Sequence, residues 1–189
     1  CCGIHLQTGA LLGDNLKRTV ELNRILGNRF LIVAADKQRM SSVDSIAELA
    51  GILNETAKTL AEEDMFTGYH AHGFDFEDVE GQTAWVRLFR QLDEAAIMQM
   101  DTGNCMSGGG DPVAMLREFP GRTKSCHLKE FGAPEPGAIG QSQVPWDDVF
   151  ELCETKHGTE WYVVEECGPE GLGFDVPAKA LNALRAMGK

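Results

Sequence analysis

A chain of 189 residues, 43% hydrophobic and 24% charged, is long enough for one domain with a sizeable core and too short for two, so residues 1–189 read as a single domain. A formal net charge of −12 argues against gripping nucleic acid through its phosphates, and no run approaches the roughly 20 apolar residues of a membrane helix. Six cysteines, with neither a CxxC nor a regular spacing, point to buried free thiols in a reducing, cytoplasmic compartment.

Short apolar runs alternate with longer segments of helical period, the pattern of a parallel α/β fold. The first unit is a strand at 2–6 (CGIHL), then a helix from Asp14, a suitable N-cap, to Gly27, a suitable residue just past a helix end. The chain opens on Cys1 inside this strand, so residues upstream of it are expected. Residues 29–35 (RFLIVAA) have the continuous apolarity of a strand buried on both faces. Ser41 and Ser42 then offer caps for a long helix on which Ile46, Leu49, Ala50, Leu53, Ala57 and Leu60 share one face. A strand at 65–70 (MFTGYH) leads to a helix across Trp85, Leu88, Phe89 and Leu92. A strand at 96–101 (AIMQMD) leads to a glycine-rich loop and a short helix, with Asp111 as N-cap and Pro112 as its first residue. A strand at 123–127 (TKSCH) precedes a helix over 146–156, and one at 161–165 (WYVVE) precedes a closing helix over 176–187. No GxGxxG follows the first strand, which disfavours an open dinucleotide-binding sheet. Six such units could also form an open doubly wound sheet, but the chemistry at their strand ends fits a (β/α)₈ TIM barrel better.

The four later strands end on His70, Asp101, His127 and Glu165, each closing an apolar run. Parallel barrel strands all point their C-terminal ends at one face, so these side chains are expected to converge there. Two imidazoles and two carboxylates suit Mn²⁺, Co²⁺, Zn²⁺ or Fe²⁺ better than Ca²⁺. Taken singly, a His or Asp at a strand end is more often a solvated or capping residue; four in succession point to a metal centre.

Several strings then resemble one family. GYHAHGFDF at 68–76, MQMDTGN at 98–104 with GGDP at 109–112, PGR at 120–122 with HLKE at 127–130, AIGQSQVPW at 138–146 and YVVE at 162–165 are similar to segments of the sugar phosphate isomerase/epimerase family, the xylose-isomerase-like barrels. The matches fall in order and span about residues 65–166. The resemblance implies a (β/α)₈ barrel whose third to eighth strands are the six above, with the first two missing; upstream residues or another chain, a homo-oligomer included, would cover the gap. It implies one divalent ion (Mn²⁺, Co²⁺, Zn²⁺ or Mg²⁺) on His70, Asp101, His127 and Glu165. It also implies proton transfer beside a carbonyl of a small polyhydroxylated substrate, a sugar or cyclitol, through a metal-stabilised enediolate.

Glu165 is then the expected general base. His72 and Lys129 are expected to bind substrate oxygens or supply a proton, with His5 and Asn104 as further substrate contacts. Many relatives carry Glu where this chain has His70. The substitution keeps a ligand but removes one of two proton-transfer carboxylates, which gives weight to a dehydratase of inosose or dehydroshikimate type. By strand alternation His72 faces the same side as His70 and is an alternative ligand. A non-catalytic barrel fragment is a third class of reading. A DNA-repair endonuclease of related fold is disfavoured by the acidic composition.

Other features read as structural. Lys129 has a rim salt bridge with Glu130 as its alternative role, Arg122 belongs to the opposite rim, and Glu166 is an outer or solvated residue. Asp111 would repel an anion at Gly108–Gly110, so these glycines fit a mobile loop at the mouth and no phosphate cradle. Cys105 and Cys167, placed in loops near the mouth, have no activating partner and are not read as nucleophiles.

Overall fold

The computed structural model of the chain describes residues 1–166 and 173–189. In chain order its strands are β1 (Ile4–Leu6), β2 (Phe30–Val33), β3 (Phe66–His70), β4 (Asp78–Val79), β5 (Gln82–Thr83), β6 (Ile97–Gln99), β7 (Ser125–Leu128) and β8 (Trp161–Val164). All six predicted strands are present. The β4–β5 hairpin is additional, since two-residue strands carry too little pattern to be read.

The six long-range strands run parallel. β1, β2, β3 and β6 pair in that order, and β7 pairs with β8. A parallel bridge between Asp101 and His127 joins the two groups, together with Met98 N–H to Arg122 O (3.0 Å) and His127 N–H to Met100 O (2.8 Å). The result is an arc of barrel strands in sequence order, the incomplete barrel that the family resemblance implies. Among the described residues β1 and β8 each have a strand neighbour on one side only. β2 and β7 are buried throughout, whereas every residue of β8 is at least partly exposed, with Trp161 at 45%.

Helices connect the strands and cover their outer face. α1 (Asp14–Leu26) ends on Gly27, whose φ of 62° is the left-handed conformation that a side chain disfavours. Gly13 holds the N-cap position, so Asp14 is the first helical residue rather than the cap. α2 (Val43–Ala61) starts as predicted at Ser42, whose hydroxyl accepts from the Ser45 amide (3.3 Å). Its six predicted apolar positions are all buried, each Leu or Ile adding about 1.5–3 kcal/mol of burial. α3 (Ala84–Phe89) stops short of the predicted Leu92. Asn54 of α2 accepts from the Asp93 amide (2.8 Å) and donates to the Gln91 carbonyl (3.0 Å), which draws the chain out of the helix.

α4 (Thr102–Ser107) occupies part of the stretch predicted as loop. Gly108–Gly110 end it in a packed turn and not in a loose one. A Cβ at Gly108 would sit 2.1 Å from the Gly73 carbonyl oxygen, one at Gly110 2.6 Å from the Phe76 ring, and Gly109 has a φ of 81°. α5 (Pro112–Glu118) begins as predicted, with Asp111 accepting from the Val113 and Ala114 amides. α6 (Trp146–Leu152) gives way to a π-helical turn at Cys153–His157, and α7 (Asp175–Ala186) closes the chain. No helix among the described residues is long and apolar enough to cross a membrane.

Cys105, Cys126 and Cys153 are buried free thiols as expected, but Cys1 is exposed and Cys2 half-buried, because no element covers the start of β1. Cys105 lies inside α4, not in a loop; Cys167 lies outside the described residues.

Alternation along the strands separates two cores. Outward residues such as Val33, Tyr69, Met98, Cys126 and Leu128 join the helices in the main cluster. Phe30, Ile32 and Ile97, with Phe66 beside them, form a small apolar plug on the inner face. Arg122 sits at the lower rim as expected, donating to the carbonyls of Phe89 and Leu92 (2.9 Å each).

One outer polar group has a measurable consequence. Asp75 is fully buried and desolvation pushes its carboxyl up to about 8, although the His72 amide (2.7 Å) and Tyr69 hydroxyl (3.2 Å) donate to it. An unfolded Asp ionises near 3.9, so the folded chain holds the extra proton between about pH 4 and 8. This residue's contribution to stability is therefore complete below that window and is lost as pH rises through it. Asp75→Asn should flatten this stretch of the stability–pH profile measured by urea unfolding. Asp75→Ala, which strands both donors, should cost about 2–3 kcal/mol.

Candidate metal centre

The arc of strands brings the four predicted strand-end residues together. His70 closes β3, Asp101 lies two residues past β6, His127 is on β7, and Glu165 follows β8. One ligand atom from each lies within 4.8 Å of every other. Glu165 Oε2 is 2.8 Å from His127 Nδ1 and 3.7 Å from His70 Nε2. His70, Asp101 and His127 are buried and Glu165 is partly buried.

Burial makes this cluster electrostatically tense. It pushes the Asp101 carboxyl up to about 8 and the His70 imidazolium down to about 2, the latter helped by the neighbouring His127 and His5 rings. Glu165 is held well below the usual carboxylate range by its hydrogen bond to His127 and by Lys129. Asp101 Oδ1 accepts from the Asn104 amide (2.6 Å); Oδ2 is buried, receives no donor among the described residues, and has the Glu165 carboxylate as its neighbour, which adds to the upward push on Asp101. A buried carboxylate oxygen without a donor is a costly feature, and a cation is the partner that this donor set suits. Metal–ligand bonds of about 2.0–2.2 Å put ligand atoms roughly 3–4.4 Å apart, and the 4.8 Å bound on the spacing here is slightly wider than that.

The other predicted residues surround the cluster. His72 has its ring 4.9 Å from that of His70, edge-on, and caps the turn that follows β3. It stands outside the four-residue group, which contains His70 instead. Lys129 Nζ binds Glu165 Oε1 (2.8 Å) and Asn104 Oδ1 (2.9 Å); the rim bridge to Glu130 considered from sequence is replaced by this inward one. Asn104 also donates to the Ala71 carbonyl (3.0 Å), so its amide braces Lys129 and β3. His5 lies at the open side, its ring 4.6 Å from His70 and 5.1 Å from His127, and with those two it forms a second compact group. Glu166 turns away as expected and accepts from the Gly137 amide (3.0 Å).

Sequence reasoning passed over Gln99 and Ser125. Both lie two residues before a predicted ligand, Asp101 and His127, and strand alternation puts them on the same inner face. Gln99 Oε1 is 2.6 Å from His5 Nε2 and 3.1 Å from His70 Nδ1, and Gln99 Nε2 donates to Ser125 Oγ (3.0 Å).

No family model and no curated protein matches the chain. Solved structures do. A sugar phosphate isomerase/epimerase from Parabacteroides distasonis superposes with a TM-score of 0.85 at 19% identity, over 98% of this chain and 70% of that one. The fold is that of the xylose-isomerase-like TIM barrel. A structure described as the probable 3-DHS dehydratase AsbF of Bacillus anthracis shares this barrel with a TM-score of 0.69 at 13% identity, over 97% of this chain and 76% of that one. The IOLI protein with a bound zinc atom shares it with a TM-score of 0.59 at 14% identity, over 92% and 66%. The chain thus spans about two thirds to three quarters of the length of these barrels.

Asp101→Asn tests the cation reading with little steric change. It keeps the acceptor for the Asn104 amide and replaces the other oxygen with a group that cannot bind a cation. With Zn²⁺ or Mn²⁺ at about 100 times Kd, the wild-type chain should melt about 5–10 °C higher in calorimetry. The variant should lose that gain.

Proposed function

We propose that this chain is the metal-bearing part of an isomerase or epimerase that moves a proton beside the carbonyl of a sugar or cyclitol. The observation that carries the proposal is the four-residue cluster, in which two carboxyls, Asp101 and Glu165, are brought together with two imidazoles. The likeness to a sugar phosphate isomerase/epimerase and to a zinc-containing barrel supports the substrate class and the ion.

His70, Asp101, His127 and Glu165 would hold one divalent ion. When bound, it would polarise a carbonyl and a neighbouring hydroxyl oxygen and so acidify the intervening C–H. Glu165 is the proton acceptor. Its Oε1 faces Lys129, and that ammonium keeps the carboxylate ionised until a substrate oxygen takes over the contact. Lys129, steadied by Asn104, then stabilises negative charge as it develops on the substrate. His72, whose ring stands edge-on beside His70, hands a proton to the other side of the reacting centre. His5 lines the open side and contacts the distal part of the substrate.

One observation favours a second reading, a dehydratase. The position that would supply a second carboxylate is His70, whose Nδ1 already meets Gln99. Glu165 therefore lacks a carboxylate partner across the site, as suits loss of a hydroxyl assisted by His72 or Lys129. The likeness to a dehydratase barrel agrees with this.

Incubating the metal-loaded protein in D₂O with a panel of ketoses, aldoses and inososes separates the readings. Deuterium entry beside the carbonyl, followed by NMR, marks isomerisation or epimerisation. A growing ultraviolet enone absorption marks a lyase. Glu165→Gln should lower either rate by about 10²–10⁴. His72→Asn should lower it similarly while leaving metal content unchanged. Absence of both metal uptake and exchange would defeat the proposal.

A further inference from the structure

Gln99 stands where it can decide which nitrogen of His70 carries the hydrogen. The β3–β6 register sets Gln99 directly opposite His70, so the two side chains stand side by side on the inner face. Both are buried, Gln99 at 3% exposure and His70 at 1%. One amide oxygen, Gln99 Oε1, meets two imidazoles: His70 at Nδ1 (3.1 Å) and His5 at Nε2 (2.6 Å). The amide nitrogen is taken by Ser125 Oγ (3.0 Å), itself buried on β7.

An amide oxygen only accepts, so each imidazole must present an N–H to it. For His70 that fixes the hydrogen on Nδ1 and leaves Nε2, the atom 3.7 Å from Glu165 Oε2, as a lone pair. With the amide turned the other way, its NH₂ would face both rings. The hydrogen of His70 would then move to Nε2, where it blocks coordination. The Ser125 hydroxyl serves either orientation, because it can accept from NH₂ or donate to C=O. In the orientation seen, the amide oxygen faces both rings and its NH₂ is taken by Ser125, so one side chain sets both tautomers.

We infer that Gln99 is a positioning residue: it locks His70 as the Nδ1–H tautomer and His5 as the Nε2–H tautomer, aiming the His70 Nε2 lone pair into the four-residue cluster. The inference deepens the metal-centre reading and rests on it for its consequence, a raised affinity for the ion. The tautomers themselves are properties of this chain alone and can be observed without metal.

Two-bond ¹H–¹⁵N spectra of the ¹⁵N-histidine-labelled, metal-free chain at pH 8 report the tautomer of each ring. The expected result is Nδ1–H on His70 and Nε2–H on His5. Gln99→Leu should lose the lock on both rings and weaken Zn²⁺ binding about 10–100-fold, read by competition with a chelator. Gln99→Glu, which keeps an accepting oxygen, should restore both tautomers. Should Gln99→Leu fail to fold, Gln99→Met, close to the native side chain in length and without the amide, should lose the lock on the same two rings. Nε2–H on His70 in the wild type, or unchanged tautomers in Gln99→Leu, would overturn the inference. Correct tautomers that Gln99→Leu abolishes, in a chain that takes up no Zn²⁺, would uphold Gln99's role and remove the metal-centre reading instead.

Discussion

The parallel hydrogen-bond ladder is the constraint on which everything else depends. It fixes neighbouring strands in one register, and the register decides which side chains share a level of the inner face. His70 lies opposite Gln99, the Asp101–His127 bridge ties β6 to β7, and Glu165 N–H to Leu128 O (3.1 Å) carries β7's alignment past the end of β8. Successive inward levels then have distinct chemistry. Phe30, Ile32 and Ile97 form an apolar floor, His70, Gln99 and Ser125 share the next level, Asp101 and His127 the one after it, and Glu165 stands beyond them with Lys129 toward the mouth. Shifting one strand by one residue would turn its inward set outward. No ligand can be repositioned locally without breaking the ladder.

The inner face concentrates imidazoles and carboxylates where burial opposes charge, and the outer face supplies the compensating stability. Its apolar cluster runs from Leu11 to Leu184 and includes Trp85, Trp146 and four residues of α2. The contrast with the fifth histidine shows what distinguishes a candidate ligand from a core residue. His157 is buried, yet both its nitrogens are matched: Nδ1 accepts from the Thr123 amide (3.1 Å) and Nε2 donates to the Leu116 carbonyl (2.9 Å). It pins the π-helical turn and has no lone pair left over. His70 has one nitrogen on Gln99 and the other turned to the cluster. Burial is common to both rings; the unsatisfied nitrogen is what marks a site.

Strand positions were legible because each is an apolar run buried on at least one face, and the site was legible because each late run ends in a polar residue. His70, Asp101, His127 and Glu165 needed only the assumption of parallel strands. Three kinds of feature were hidden. Gln99 and Ser125 look like ordinary polar residues inside strands, and only inward register gives them meaning. The Lys129–Glu165 pair joins residues from different strands, so a sequence reader sees the adjacent Glu130 first. Asp75 carries no signal of its burial, because it gains that from the packing of Tyr69 and the turn after His72. Helix ends failed where a distant side chain intervened, as Asn54 does at the end of α3.

The same register argument ranks the parts of the site by how firmly they are held. β3 and β6 have strand neighbours on both sides, and β7 is joined to β6 and β8, so His70, Asp101 and His127 sit on doubly supported backbone. His5 and Glu165 sit on or just beyond β1 and β8, which have one neighbour each among the described residues. These two side chains are the ones most heavily tied by side-chain contacts. His5 is fixed by Gln99 and by stacking on His127 at 12°, and Glu165 by His127 and Lys129. Where the ladder supports a residue least, side-chain hydrogen bonds take over its orientation. The proton acceptor proposed here therefore stands on the more adjustable wall of the site, facing ligands that the fold holds still.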